Sequence, residues 1–502
     1  MPEFLRSLLV VLFLATGIFY FAKKYAQPLG LDPKVLQPRI TAWYLITCAA
    51  FLSPNFWIFA AIAAFVLNRA AKQDKNPLAL SFFVLYAVPL FQKQIPGAGI
   101  VNYLFDINYF HLILFVIFVP LYLKIRRAKD TAPLGSVWPD KFIIGYVVYS
   151  LVLVFFNTTI TNFARVAFTQ CLDVLLPYYV ASRYFRTLND FADAIQALLI
   201  ASCIAASIAI LEFAKGWLLY STLAPSFDIF WGYGGYLRRG ESLRALASSG
   251  QAIVLGYTMA VALGLYWYQA KKHIQQQRSL TWAIGLLLCA GLFAPVSRGP
   301  WVGAALMFLV FIFLEPAPLQ RLLKLGVLAF IPSLIFLLTP YGAKFINYLP
   351  FVGSVDAETV TYRQDLFENS LHVIQNNLWF GSSDYLNTEE MESMRAGANG
   401  GIVDLVNSYI AIALSGGLVG LVLFVGYFWA CTYRVFFALR HAKGADERIL
   451  GQALLGTMLG IMFMIYTVSS ILMIPVLYWL LGGVCIAYSL MVRNQELFPV
   501  NK

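Results

Sequence analysis

The chain has 502 residues, 60% of them hydrophobic and 12% charged, with a mean hydropathy of +0.72. A composition this apolar and this poor in charge excludes an ordinary soluble domain. The formal net charge of +11 sits in short loops beside apolar stretches, so it reads as membrane topology and not as a nucleic-acid footprint.

Apolar stretches recur along nearly the whole length, most of them near the roughly 20 residues that a helix needs to cross about 30 Å of hydrocarbon. In chain order they predict spans at about 5–22, 41–66, 78–91, 107–123, 141–156, 166–180, 192–213, 250–269, 281–296, 299–314, 322–339, 409–431, 447–467 and 470–491. The expected fold is all-α: one integral membrane domain, 1–502, built as a polytopic bundle of about fourteen transmembrane helices. The first stretch could mimic a signal peptide. No cleavage site follows it convincingly and Lys23-Lys24 comes after it, so it is read as a spanning helix or signal anchor. The second is long and contains Ser53-Pro54-Asn55, which allows a kinked span or two half-helices. That choice decides where the N-terminus lies.

Basic residues set the orientation. Loops with Lys124, Arg126, Arg127 and Lys129, with Arg183 and Arg186, with Lys271, Lys272 and Arg278, with Arg321 and Lys324, and with Arg434, Arg440, Lys443 and Arg448 read as cytoplasmic. They alternate with the predicted spans and place the C-terminus in the cytoplasm. Two larger loops then fall on the opposite face. The first, 214–249, is rich in aromatics and holds Arg238, Arg239 and Arg244. The second, 341–408, carries nine carboxylates against Lys344, Arg363 and Arg395. It contains an amphipathic helix expected at 361–376. Thr361 and Gln364 have capping-box spacing there, and Phe367, Leu371 and Ile374 form an apolar stripe. The six cysteines lie inside or at the ends of apolar stretches, without metal-ligand spacing, and imply no disulfide framework. No internal repeat suggests a transporter built from inverted halves.

The outward arginines are the informative residues, because cations are normally kept on the cytoplasmic side and are costly near hydrocarbon. Arg298 lies in Pro295-Val296-Ser297-Arg298-Gly299-Pro300, a short turn opening an apolar helix. A guanidinium fork, a glycine that lets backbone approach, and a helix N-terminus all favour an anion at one point. The plain alternative is an arginine snorkelling to bulk lipid. Arg363, read as first-turn, is not explained by the helix dipole, which disfavours a cation there. Arg238, Arg239 and Arg244, near aromatic rings, suit a sugar diphosphate or, more simply, anionic lipid. No phosphate loop, dinucleotide fingerprint or metal motif is present, and the four histidines are scattered.

Three blocks resemble the O-antigen ligase/polymerase family of bacterial membrane glycosyltransferases. They are Ser297-Arg298-Gly299-Pro300-Trp301; the run from Tyr362 to Gly381, with Leu378 where the family has proline; and Asp404-Leu405-Val406-Asn407-Ser408-Tyr409 followed by Ser415-Gly416-Gly417-Leu418-Val419-Gly420. The resemblance implies a bundle of the GT-C type that joins a polyprenyl-diphosphate-linked glycan to an acceptor hydroxyl outside the cytoplasmic membrane, without a required metal or other cofactor. It implies that Arg298 and Arg363 hold the diphosphate, with Arg238, Arg239 or Arg244 as a third contact. Asp404 would be the base or acceptor-orienting group, and Asn407 and Tyr409 substrate contacts. Ligases of this family usually carry histidine just before the asparagine of the third block, where this chain has Val406. The expectation is therefore a polymerase of exopolysaccharide or O-antigen repeat units in the bacterial inner membrane. Its partners would be membrane lipids and possible chain-length regulators, with no nucleic acid. The alternatives are a ligase to lipid A-core or protein and a flippase of lipid-linked sugars. Against the flippase, Asp173 and Glu212 are nearly the only carboxylates within predicted spans.

Overall fold

The computed structural model describes residues 1–26, 32–97, 99, 101–231, 234–339, 342, 358–395 and 403–497; at 329, 331–333, 336, 358–360 and 494–497 it describes the backbone alone. Among these residues, nine helices are long and apolar enough to cross a membrane, and two further apolar helices, Arg278–Phe293 and Arg298–Phe313, are shorter. The protein is an all-α, multi-pass membrane protein whose two small antiparallel hairpins lie in connecting segments.

The stretch predicted as one span at 41–66 is two helices, Pro33–Leu52 and Phe56–Gln73. The break is chemical: Asn55 caps the second helix by accepting from the Trp57 and Ile58 amides at 3.1 and 3.0 Å. The chain folds back there, which places the N-terminus. Glu3 accepts from Trp217 Nε1 at 3.2 Å and Arg6 lies over the Trp217 ring, so the chain starts at the end of the bundle that carries the aromatic loop.

The stretch 78–91 is helical only over Pro77–Val84 and then turns and runs irregularly into the hairpin Lys93–Pro96 and Tyr103–Ile107. Non-helical backbone at depth requires partners for its carbonyls. Tyr109 donates to the Val84 carbonyl at 3.1 Å and Ser248 to that of Tyr86 at 2.6 Å.

Small residues bring together the three helices that support the site. A Cβ on Gly303 would lie 2.3 Å from Met464, and one on Gly264 would lie 2.3 Å from Thr457 Oγ1. In helices Ala252–His273, Arg298–Phe313 and Ala445–Thr467 the glycines thus let neighbouring side chains reach the helix backbone, a close approach that small residues allow in a membrane. The last two keep this contact to their shared end, where a Cβ on Gly299 would meet Thr467 Oγ1 at 2.4 Å.

Candidate active site

The arginine loop begins with a buried carboxylate. Glu212, near the end of helix Leu188–Lys215, is fully buried. It accepts from the Leu219 amide at 2.9 Å and from those of Leu246 and Ala247 at 2.9 and 2.8 Å. Both flanks of the loop are thus fastened to one side chain. Between them Arg238-Arg239 pairs with Ser242-Leu243 in a short hairpin turned by Gly240 at φ +56°.

That hairpin is stitched to the turn before Arg298. Arg239 Nη1 donates to the Val296 carbonyl at 2.8 Å, Arg244 Nε to that of Pro295 at 3.1 Å, and the Ala245 amide to that of Ala294 at 3.2 Å. Val296 has φ +48°, a costly conformation for a β-branched residue. The strained turn leads into helix Arg298–Phe313 with Ser297 buried at its N-cap. Trp301 pins the helix start by donating to the Leu292 carbonyl at 2.8 Å and stacking on Phe293.

Arg363 arrives from helix Glu358–Asn376. That helix begins before Thr361, so Thr361 is not its N-cap and Arg363 stands in the second turn, not the first. Of the expected apolar stripe, Ile374 packs partly buried against the cluster of Leu366, Val373, Met391, Met394 and Leu414, and Phe367 and Leu371 are exposed. Ser370 is buried on the neighbouring row, which hydropathy alone does not select.

Arg363 Nη2 approaches the Thr467 carbonyl at 3.4 Å. Its Nε is buried without a hydrogen-bond partner. Burial and the nearby charges of Arg239 and Arg298 push its pKa down, opposed by Asp404. A guanidinium remains charged under such a shift. Arg363 is therefore a cation held where burial and two like charges oppose it, an arrangement that an anion would relieve.

Asp404 is fixed from both sides. Its amide donates to the Tyr362 hydroxyl at 3.0 Å, and Ser469 Oγ donates to its Oδ1, also at 3.0 Å. Ser408 donates to the Val468 carbonyl at 2.8 Å and Ser470 to Ser408 Oγ at 2.8 Å. The turn Thr467–Ser470, between the last two long helices, is thus the floor on which Gly299, Arg363 and Asp404 meet.

Of the expected site residues, Arg239, Arg298, Arg363 and Asp404 come together electrostatically. Arg244 supports the turn before Arg298, and Arg238 is exposed and donates to the Glu241 carbonyl at 3.2 Å. Asn407 caps helix Ser408–His441 by accepting from the Tyr409 and Ile410 amides, and Tyr409 donates its hydroxyl to the Met462 carbonyl at 2.8 Å. Both are built into the framework. Sequence reasoning missed Thr467, Ser469 and Ser470, although a polar Thr-Val-Ser-Ser run between two apolar helices was a readable signal. It noted Glu212 without foreseeing its three backbone partners, because loop geometry supplies them.

No curated protein matches the chain. The family model described as O-antigen ligase matches residues 283–425, which include Asp404 and the helices that carry Arg298 and Arg363. Over that stretch the chain is similar to the O-antigen ligase family.

Proposed function

We propose that the protein polymerises polyprenyl-diphosphate-linked oligosaccharide repeat units at the periplasmic face of the bacterial inner membrane. The observation that carries this reading is the meeting of Arg239, Arg298 and Arg363 with Asp404 above the Thr467–Ser470 turn. Arg298 and Arg363 hold the diphosphate of the donor, assisted by Arg239, and the N-terminus of helix Arg298–Phe313 adds its field to the same anion.

A sugar hydroxyl of the acceptor unit attacks the anomeric carbon of the donor glycan. The new carbon–oxygen bond forms as the anomeric carbon–oxygen bond to the diphosphate breaks; the electron pair leaves with the diphosphate, whose added negative charge the arginines neutralise. Asp404 takes the hydroxyl proton, while Ser469 keeps its carboxylate oriented. Charge stabilisation at the leaving group supplies most of the rate.

Val406 favours polymerisation over ligation. It packs against the apolar cluster around Leu366, Val373 and Leu414, at the place where ligases resembling this chain carry histidine. The test is purified protein with lipid-linked oligosaccharide as the only glycan. A ladder of longer lipid-linked products is expected, and Asp404→Asn should slow it at least about tenfold while leaving lipid-diphosphate binding nearly intact. Product only after addition of lipid A-core or a protein acceptor would assign the chain to ligation instead.

A further inference from the structure

Helix Ser408–His441 is broken at Gly417, where φ is +60° and ψ is −163°. In an unbroken helix the Leu418 amide would bond the Leu414 carbonyl. Here both groups are taken by the turn that follows helix Glu358–Asn376. The Leu418 amide donates to the Leu378 carbonyl at 2.8 Å and the Val419 amide to that of Trp379 at 3.2 Å; the Ser382 amide donates to that of Leu414 at 2.8 Å. The turn is inserted into the opened helix, backbone on backbone. Its tightness explains the glycines: a Cβ on Gly381 would lie 2.6 Å from the Gly416 and Gly417 amide nitrogens, and one on Gly417 would lie 2.4 Å from the Trp379 carbonyl carbon. The carbonyl of Gly416, at the break, accepts from the Tyr149 hydroxyl at 2.7 Å, and Tyr149 comes from a different helix, Trp138–Asn157.

We propose that this splice, locked by Tyr149, is the device that holds Arg363 in the arginine cluster. Tyr149 is then a positioning residue that touches no substrate. The inference rests on the reading of Arg363 as a diphosphate ligand. From the spliced end to Arg363 the helix rises about 20 Å over thirteen residues. A tilt of about 5° at the splice moves the guanidinium by about 2 Å. Misplacement by about 1 Å can cost roughly a hundredfold in rate. The Leu366–Val373 face and the Tyr362–Asp404 contact limit that tilt, so loosening the splice should produce a partial loss.

The test uses the full chain in lipid nanodiscs with polyprenyl-diphosphate-linked oligosaccharide. Tyr149→Phe, which removes one hydroxyl and keeps the ring, should lower kcat about five- to tenfold, the scale of one hydrogen bond, with KM changed less. In an Arg363→Ala background the same substitution should change the residual rate less than about twofold, because the group it positions is gone. Amide hydrogen exchange at Leu418 and Val419 should be faster in Tyr149→Phe than in the parent. Unchanged exchange at those amides, or an equal fold-loss in both backgrounds, overturns the splice as a positioning device. A wild-type rate in Arg363→Ala alone overturns the diphosphate reading, whatever Tyr149→Phe does.

Discussion

The two ends of the bundle use arginine in opposite ways. At the end away from the aromatic loop, Arg39 is buried between Asp74 and Asp193 and donates to all four of their carboxylate oxygens at 2.7 to 2.9 Å. Arg183 is buried with Asp140, which also accepts from Tyr178, and Glu315 bridges Lys271 and Arg321. These cations tie helix ends together. At the other end Arg363 faces Arg239 and Arg298, with Asp404 as an opposing charge among the described residues. A cation with its carboxylates in place has a finished structural job. A cation gathered with like charges is in an arrangement that a bound anion would relieve.

The largest effect that could break this contrast is on folding. Arg39→Ala leaves Asp74 and Asp193 facing one another without their shared partner, and should cost about 3–5 kcal/mol of stability. Denaturation of the purified protein measures it, and the folded yield should fall sharply. A variant with the parent's unfolding midpoint would show that the distant end is not held by its ion pairs.

At the site the same kind of change should act on chemistry alone. Arg298→Lys and Arg363→Lys keep the charge but replace a planar fork by a point charge. Each should lose about 2 kcal/mol or more of activation free energy, roughly thirtyfold in rate. Arg363→Gln should abolish most turnover and leave the unfolding midpoint unchanged or raised, because one of three crowded cations is removed. Rates of lipid-linked product formation, with midpoints taken on the same preparations, decide it. A destabilised Arg363→Gln with intact specific activity would reverse the contrast.

The sequence disclosed these arginines because each stands beside a strong local marker. Arg298 lies in a Pro-to-Pro turn opening an apolar run, and Arg363 lies in an otherwise acidic loop. Spans were legible for the same reason: length and apolarity are local properties. What stayed hidden depends on contacts across the chain. The π-helical turns Leu114–Phe118 and Cys171–Leu175, just before Pro120 and Pro177, leave no trace in hydropathy. Neither does the irregular segment after Val84, where Tyr109 and Ser248 satisfy the Val84 and Tyr86 carbonyls. The buried row of the surface helix is hidden in hydropathy because it contains Ser370, and the helix start was misplaced because Thr361 imitates a cap.

Gly299 offers a steric version of the same test. It is the point where helix Arg298–Phe313 touches Thr467, whose carbonyl is also the Arg363 contact. Gly299→Ala should force the two helix ends apart, cost about 1–3 kcal/mol of stability, and slow turnover through Arg298 and Arg363 together. Thr467→Ala removes the hydroxyl that the new Cβ would strike and keeps the carbonyl. The double variant should recover most of the loss. If it behaves like Gly299→Ala alone, the close approach at Thr467 is not what sets the site.

The smallest effect belongs to Glu315, which sharpens the contrast through pH. Burial alone would raise its pKa, but hydrogen bonds and charge from Lys271 and Arg321 outweigh that and hold it below its ordinary value near 4.5. A carboxyl with a depressed folded pKa contributes stability that is fully present above its unfolded value and is lost as pH falls through the folded one. The parent should therefore exceed Glu315→Gln in stability at pH 7 by about 0.5–1 kcal/mol, a modest figure because solvent screens the partly exposed partners. That margin should shrink below about pH 4.5 and vanish once the parent's carboxyl is protonated. Turnover at pH 7 should be the same in both proteins, since Glu315 joins helix ends on the side away from the arginine cluster. Melting curves at neutral and acid pH, beside rates at pH 7, separate the two roles. A Glu315→Gln protein that keeps the parent's pH-dependent stability but loses turnover would mean that charge at the distant end serves the reaction as well.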